Sequence, residues 1–222
     1  MQEQFDSNQE RFFEPQLGAE AVVELTRWDG ELAISKVRKA KSYRDPDLDK
    51  RIRTKRTKEE IQIMHFVKLS GVDTPEILFG DPETSVIVMS YIKGAILKDL
   101  LSVSDKKSLI GWFQRLGTYV GLMHSKNLIH GDLTTKNLIV SGERLVLIDF
   151  GLSFYSSRIE DAAEDIHLLK QALFSSNPKK LAGYCFRNFF ESYGRFVGGS
   201  KKKLVLQQIR KIELRGRYAK VD

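Results

Sequence analysis

Apolar and polar side chains alternate through Gly18–Trp28 and again through Glu31–Arg38, on either side of the turn pair Asp29-Gly30. Period-two alternation puts every second side chain on one face, so this stretch predicts a β-hairpin. Residues 39–56 lose the pattern, carry many basic side chains, hold Pro46 in their middle and read as a loop. Thr57 then stands three residues before Glu60, a capping-box spacing that opens a helix. Ile61, Met64 and Val67 step by three along it, and Gly71 ends it. Ser85–Ile92 is a short β-branched apolar run that predicts a buried strand, broken by Lys93-Gly94. The strongest helical signal is Asp105–Lys126, where Leu109, Phe113, Leu116, Val120 and Met123 recur at steps of four and three. That spacing gives one apolar stripe. Leu138–Val140 and Arg144–Ile148 flank Ser141-Gly142 and predict a second hairpin. Beyond Phe154 the pattern is helical, over 158–175, 178–196 and 200–213. The expected class is α+β: a small β-rich first half with one main helix, then a mostly helical second half. The boundary between residues 1–92 and 93–222 is placed at Ile92–Gly94, within one domain spanning 1–222.

Composition narrows the class. At roughly 100–200 residues per domain, a chain of 222 residues is one domain or one small two-lobed unit. Its single cysteine, Cys185, excludes an internal disulfide framework and a four-cysteine zinc site. His65, His124, His130 and His167 show no paired metal-ligand spacing. No apolar run approaches the ~18–20 residues that span a bilayer, so no membrane association is expected. Met1–Arg11 is polar and acidic, unlike a signal peptide. These features predict a cytoplasmic protein in a reducing compartment.

Charge changes the picture more. The formal net charge is +7, but residues 1–34 sum to −6, 35–58 to +8, 59–200 to −1 and 201–222 to +6. The excess therefore sits in two short blocks. Either block alone is ordinary solvated surface; two beside a nearly neutral remainder point to a polyanion, nucleotide phosphate or RNA.

The most specific string is His130-Gly131-Asp132-Leu133-Thr134-Thr135-Lys136-Asn137, followed twelve residues after Asn137 by Asp149-Phe150-Gly151. An Asp and an Asn five apart on one loop can divide two tasks: a carboxylate to accept a proton or orient a nucleophile, and an amide oxygen to ligate a metal. An Asp after a buried strand adds the hard oxygen ligand that Mg²⁺ prefers. Such metals neutralise triphosphate charge during phosphoryl transfer. Each piece alone is commonplace; their order and spacing after a long apolar helix are not.

In this order the strings resemble the protein-kinase superfamily, whose signature is H-R-D-x-x-x-x-N followed by D-F-G. The resemblance implies a minimal bilobal kinase-like fold that binds ATP with Mg²⁺. It gives Asp132 the role of catalytic-loop base, and Asn137 and Asp149 those of Mg²⁺ ligands. Upstream, Lys36 in Ala33-Ile34-Ser35-Lys36 fits the lysine that pairs the α- and β-phosphates. Glu60 fits the glutamate that fixes this lysine. Val23, Ile34 and Ile139 would sandwich the adenine, or serve as simple core. Met89-Ser90-Tyr91-Ile92 would be the hinge whose backbone reads the adenine edge. Gly18, in Gln16-Leu17-Gly18-Ala19-Glu20-Ala21, stands where a glycine-rich phosphate loop would run, with one glycine and an acid.

Other features depart from ordinary protein kinases. Gly131 replaces the loop arginine, Asp149 and Asp165 are only 16 residues apart, and no Ala-Pro-Glu element follows. The platform that holds a peptide substrate is missing. These departures, with Lys36-Val37-Arg38, Tyr43–Asp49, Arg56–Glu60, Glu160-Asp161 with Asp165, and Leu214-Arg215-Gly216-Arg217, resemble the small atypical kinase/ATPase subunits of the KEOPS (EKC) complex, the PRPK family. RIO-type kinases share the short lobe and His-x-Asp loop but not the Arg-Gly-Arg tail. Lys136, where the family usually has serine, and the ending Tyr-Ala-Lys-Val-Asp depart from the family pattern.

The resemblance implies ATP hydrolysis that supports threonylcarbamoyladenosine modification of tRNA next to the anticodon. The implied partners are the threonylcarbamoyl-transferring subunit, a small regulatory subunit and tRNA. The basic tail, Lys201–Lys203 and Arg210 to Lys220, can lie along RNA phosphate or tuck back toward the nucleotide cleft. The 39–58 block can bind phosphate or a partner's acidic face. The alternatives are a dedicated Ser/Thr protein kinase acting on a partner or itself, and a non-catalytic assembly subunit.

Overall fold

The basic stretch expected to be a loop is helical. In the computed structural model, which describes residues 16–17 and 21–218, the first helix, α1, runs Pro46–Leu69. It starts eleven residues before the Thr57 signal, because Asp45 supplies the cap that Thr57 was expected to give. The Asp45 carboxylate accepts from the Leu48 amide at 3.0 Å, Pro46 takes the first helical position, and Asp47 and Asp49 fall in the first turn. Proline loses nothing there, and acids favour the positive end of the helix dipole. Thr57 is instead a fully buried mid-helix residue whose hydroxyl has no partner among the described residues. Termination near Gly71 is as expected: Gly71 takes φ +89°, and Val72 donates back to the Val67 carbonyl at 3.0 Å.

The described chain divides by contacts into two units: the residues up to His65 with Pro75–Tyr91, and Phe66–Thr74 with Ile92 onward. The expected boundary at 92–94 left residues 66–74 with the first half; their contacts place them with the second.

The first unit is a five-stranded antiparallel sheet with α1 as far as His65. The strands are β1 (Gln16–Leu17), β2 (Val22–Trp28), β3 (Glu31–Val37), β4 (Ile77–Asp81) and β5 (Val86–Ser90), in the order β1-β2-β3-β5-β4. The β2–β3 hairpin turns at Asp29-Gly30, both with positive φ. Strand β4 gave no alternating signal, since Leu78, Phe79 and Gly80 are all exposed. Ala33, Ile63, Met64, Ile87 and Val88 are buried in this unit.

The second unit is mostly helical. Strand β6 (Ala95–Ile96) leads into the short α2 (Leu97–Leu100) and then α3 (Lys106–Ser125). Asp105 caps α3 by accepting from the Lys107 and Ser108 amides at 2.7 and 3.0 Å. The two-residue strand β7 (Leu128–Ile129) pairs with β10 (Phe154–Tyr155), while β8 (Leu138–Ser141) and β9 (Arg144–Leu147) form the second hairpin. Helix α4 covers Ile159–Ser176, and α5 covers Lys179–Tyr218 with a break at Gly198 (φ 81°, ψ 158°). The α3 stripe is buried as predicted, with Phe113, Leu116 and Val120 fully enclosed, as are Phe189 and Tyr193 on α5. A Cβ at Gly117 would sit 2.2 Å from the Phe189 carbonyl; only glycine lets α3 and α5 come this close.

The basic tail as far as it is described is helix, and much of its charge is used within the chain. Val205 and Ile209 are buried. Lys201 Nζ donates to the His124 carbonyl at the end of α3 at 2.7 Å, and its burial holds the ammonium below the usual lysine range. Lys202 pairs with Glu191 at 2.9 Å. Glu213 pairs with Lys170, and Arg215 lies 3.5 Å from Glu160, both partners on α4. Lys203, Arg210 and Lys211 remain exposed. No described helix is long and apolar enough to cross a membrane.

Candidate active site

Lys36 sits on β3, the strand flanked by β2 and β5, directly opposite Val23 and Ile87. Ile34, two residues earlier, faces Leu25 and Met89. Opposed residues share a sheet face, so Val23, Ile34, Met89 and Lys36 lie together on one side. Val23 and Ile34 are half-buried and Met89 is buried. Ser90 points to the other side, with its hydroxyl accepting from the Glu76 amide at 2.9 Å and its own amide donating to the Glu76 carbonyl at 2.8 Å. Gly18 lies outside the described residues.

The lysine is held by charge. Its Nζ is 2.6 Å from Glu60 Oε1, and the two side chains are 9% and 1% exposed. A second cation joins them: Arg38 Nη2 is 2.7 Å from Glu60 Oε2, with its side chain 4% exposed. In the sequence Arg38 stands out only as part of Lys36-Val37-Arg38. Its spacing of two from Lys36 was the usable signal, because it puts both cations on one face.

In the second unit, the loop after β7 carries Asp132 and Asn137. The Asn137 amide NH₂ donates to the Asp132 carbonyl at 2.8 Å and to Asp132 Oδ2 at 2.9 Å. Both acceptors are oxygens, so the nitrogen must face them, and Asn137 Oδ1 is left as an acceptor for something else. Asp149 follows β9, with φ 62° and its Oδ1 accepting from the Gly151 amide at 3.2 Å. The Ile148 amide donates to the Asn137 carbonyl at 3.0 Å, tying the two loops together. Ile92 and Ile139 are half-buried in this unit. Among the described residues no cluster of three His, Cys, Asp or Glu could hold a metal. Asn137 Oδ1 and the Asp149 carboxylate are oxygen donors of the kind Mg²⁺ takes when phosphates and waters complete its shell.

A residue without an assigned role holds this loop. Asp165 on α4 is 1% exposed. Its Oδ2 accepts from the His130 amide at 3.1 Å and its Oδ1 from the Gly131 amide at 2.9 Å. His124 Nε2 lies 3.1 Å from Oδ2, and Tyr193 Oη lies 3.2 Å from His124 Nδ1. Burial works against the charged carboxylate, but the His124 hydrogen bond and charge, helped by His130, outweigh it and hold the carboxyl below its ordinary value. The sequence signal was an acid within an apolar helical stripe, between Ala162, Ala163, Ile166 and Leu169, all buried. Gly131 has φ +83°, and a Cβ there would meet the Leu152 carbonyl at 2.2 Å. That is a physical reason for glycine where kinases carry arginine.

With this geometry in view, the protein kinase domain family matches residues 18–167. The KEOPS complex subunit Bud32 of Pyrococcus abyssi is 36% identical over 208 residues, covering 90% of this chain and 94% of that protein. The EKC/KEOPS complex subunit Tp53rkb of Mus musculus is 34% identical over 212 residues, covering 91% and 85%. A protein of Methanothermobacter thermautotrophicus named "Probable bifunctional tRNA threonylcarbamoyladenosine biosynthesis protein" is 37% identical over 201 residues, covering 90% of this chain. The chain spans 36% of the length of that bifunctional relative and of a second from Methanobrevibacter smithii.

Proposed function

This chain belongs to the protein kinase domain family and, within it, to the Bud32 subunits of KEOPS, and on that premise we propose that it is a Mg²⁺-ATP-dependent ATPase supporting threonylcarbamoyladenosine formation on tRNA. The near-full-length match to the Pyrococcus subunit carries this reading. It works in the cytoplasm with the threonylcarbamoyl-transferring subunit, a small regulatory subunit and tRNA.

Each residue takes the task that the resemblance to the kinase pattern gives it. Lys36, steadied by Glu60, gives its ammonium to nucleotide phosphate oxygens. Val23, Ile34, Met89 and Ile139 offer apolar surface to the adenine, and the backbone of Met89, Ser90 and Ile92 reads its edge. Asn137 Oδ1 and Asp149 hold Mg²⁺, which when bound neutralises charge on the transferring phosphoryl group. Asp132 orients the nucleophile and accepts its proton, with Oδ2 steadied by Asn137. A sequence without a peptide platform favours water as that acceptor over a Ser/Thr hydroxyl.

The test is ATP hydrolysis by the chain alone, with its KEOPS partners, and with tRNA added. The expected result is Mg²⁺-dependent turnover that rises when partners and tRNA are both present. Turnover indifferent to tRNA, with stoichiometric phosphorylation of a protein, would overturn it in favour of a dedicated Ser/Thr kinase.

A further inference from the structure

We propose that Arg38 is a positioning residue of the nucleotide site, holding Glu60 so that Lys36 can turn its charge to phosphate. This rests on the reading that Lys36 binds nucleotide. Arg38 has no role in the kinase pattern of lysine, glutamate, loop aspartate and metal ligands.

The observation is a carboxylate shared by two buried cations. Lys36 and Arg38 are two residues apart at the end of β3 and project to the same face. Arg38 continues the ladder past the strand, its amide donating to the Ser85 carbonyl at 3.1 Å. Each cation takes a separate oxygen of Glu60, Lys36 the Oε1 at 2.6 Å and Arg38 the Oε2 at 2.7 Å. Arg38 Nε is buried and without an acceptor among the described residues, so the ion pair is this guanidinium's main tie.

The division has a consequence. A carboxylate facing one lysine competes with phosphate for that lysine's charge. A carboxylate that also faces a guanidinium divides its attraction and pulls less on the lysine. Arginine stays charged under all working conditions, and its rigid planar fork loses little freedom on pairing. Arg38 thus fixes Glu60 with or without nucleotide, and Glu60 in turn sets where the Lys36 ammonium stands. A removed arginine would let Glu60 follow the lysine and hold it more tightly.

Binding of Mg²⁺-ATP and of adenosine to the full chain, measured by calorimetry, tests this. The variants are Arg38→Met, Arg38→Lys, Glu60→Gln and the Arg38→Met/Glu60→Gln double, with Lys36→Met as a control. Arg38→Met should weaken Mg²⁺-ATP about tenfold, the effect of one lost charge-assisted hydrogen bond, and leave adenosine unchanged. Arg38→Lys should recover part of the loss, and the double variant should bind Mg²⁺-ATP no worse than Glu60→Gln alone. If Arg38→Met does not fold, Arg38→Lys carries the same comparison, with a smaller loss for ATP and none for adenosine. Unchanged ATP affinity in a folded Arg38 variant overturns the proposal. Equal loss of ATP and adenosine, which marks a packing role, does so too. Losses that multiply in the double variant overturn it as well, since Arg38 would then act independently of Glu60. An unchanged Lys36→Met refutes the nucleotide reading itself, and this proposal falls with it; an effect at Lys36 without one at Arg38 refutes only the proposal.

Discussion

The two units hold their chemistry by different means. In the first, one side chain is placed by charge: Lys36 by Glu60, with Arg38 on the same carboxylate. In the second, a stretch of backbone is placed: Asp165 takes the amides of both His130 and Gly131, and Asp132 and Asn137 follow on the chain. A flexible lysine needs only an opposite charge at the right depth. A loop carrying two polar side chains in fixed relation needs its main chain held. In stability, the first arrangement should therefore tolerate a change of cation, while the second should tolerate almost no change at its anchor.

Removing the anchor is the largest expected effect. Asp165→Ala leaves His124 and two amides buried without their acceptor and should cost about 3–5 kcal/mol, as when one partner of a buried pair is removed. Chemical denaturation checks this; a loss no larger than that of Arg38→Lys would erase the contrast between the units. The same residue gives the contrast a pH signature. The Asp165 carboxyl is held below its ordinary value, so its stabilisation is whole above about pH 4 and is lost as pH falls through the native value. Asp165→Asn should flatten that acid limb of the stability profile.

Gly131 sharpens the comparison at the next scale. With φ +83° and a carbonyl 2.2 Å from the site of a Cβ, Gly131→Ala should cost about 2 kcal/mol of backbone strain and reduce turnover by displacing Asp132. Retained activity and stability would mean the loop is looser than its hydrogen bonds imply.

The tail gives the smallest effects. Lys201→Ala, which removes the donor to the last turn of α3, should cost about 1 kcal/mol. It should leave the salt dependence of tRNA-stimulated turnover alone. Neutralising the exposed Lys203, Arg210 and Lys211 should do the reverse, flattening that salt dependence while the melting temperature stays. The sequence grouped Lys201 to Lys203 as one basic run; the structure separates them by partner.

The same contrast explains what the sequence could say. The hairpins and α3 were legible because each buries one face and so imposes a period on the residues. The first turns of α1 were not, because their side chains are mostly exposed or paired charges and no apolar stripe marks the helix. Strand β4 was hidden because three of its five residues are exposed. At the site, Asp132, Asn137 and Asp149 were legible as a linear spacing. Asp165 stood out only as an acid in an apolar helical stripe; its pairing with His124 was hidden, because the two meet across 41 positions.

The measurement that most directly tests the central claim is Mg²⁺-dependent ATP turnover by Asp132→Ala within the assembled complex. Asn137 keeps the Asp132 main-chain carbonyl as an acceptor, so the variant should fold and melt like the wild type. Turnover should fall by at least about 100-fold, the low end for loss of a proton-accepting group. Wild-type turnover by the folded variant would contradict the account.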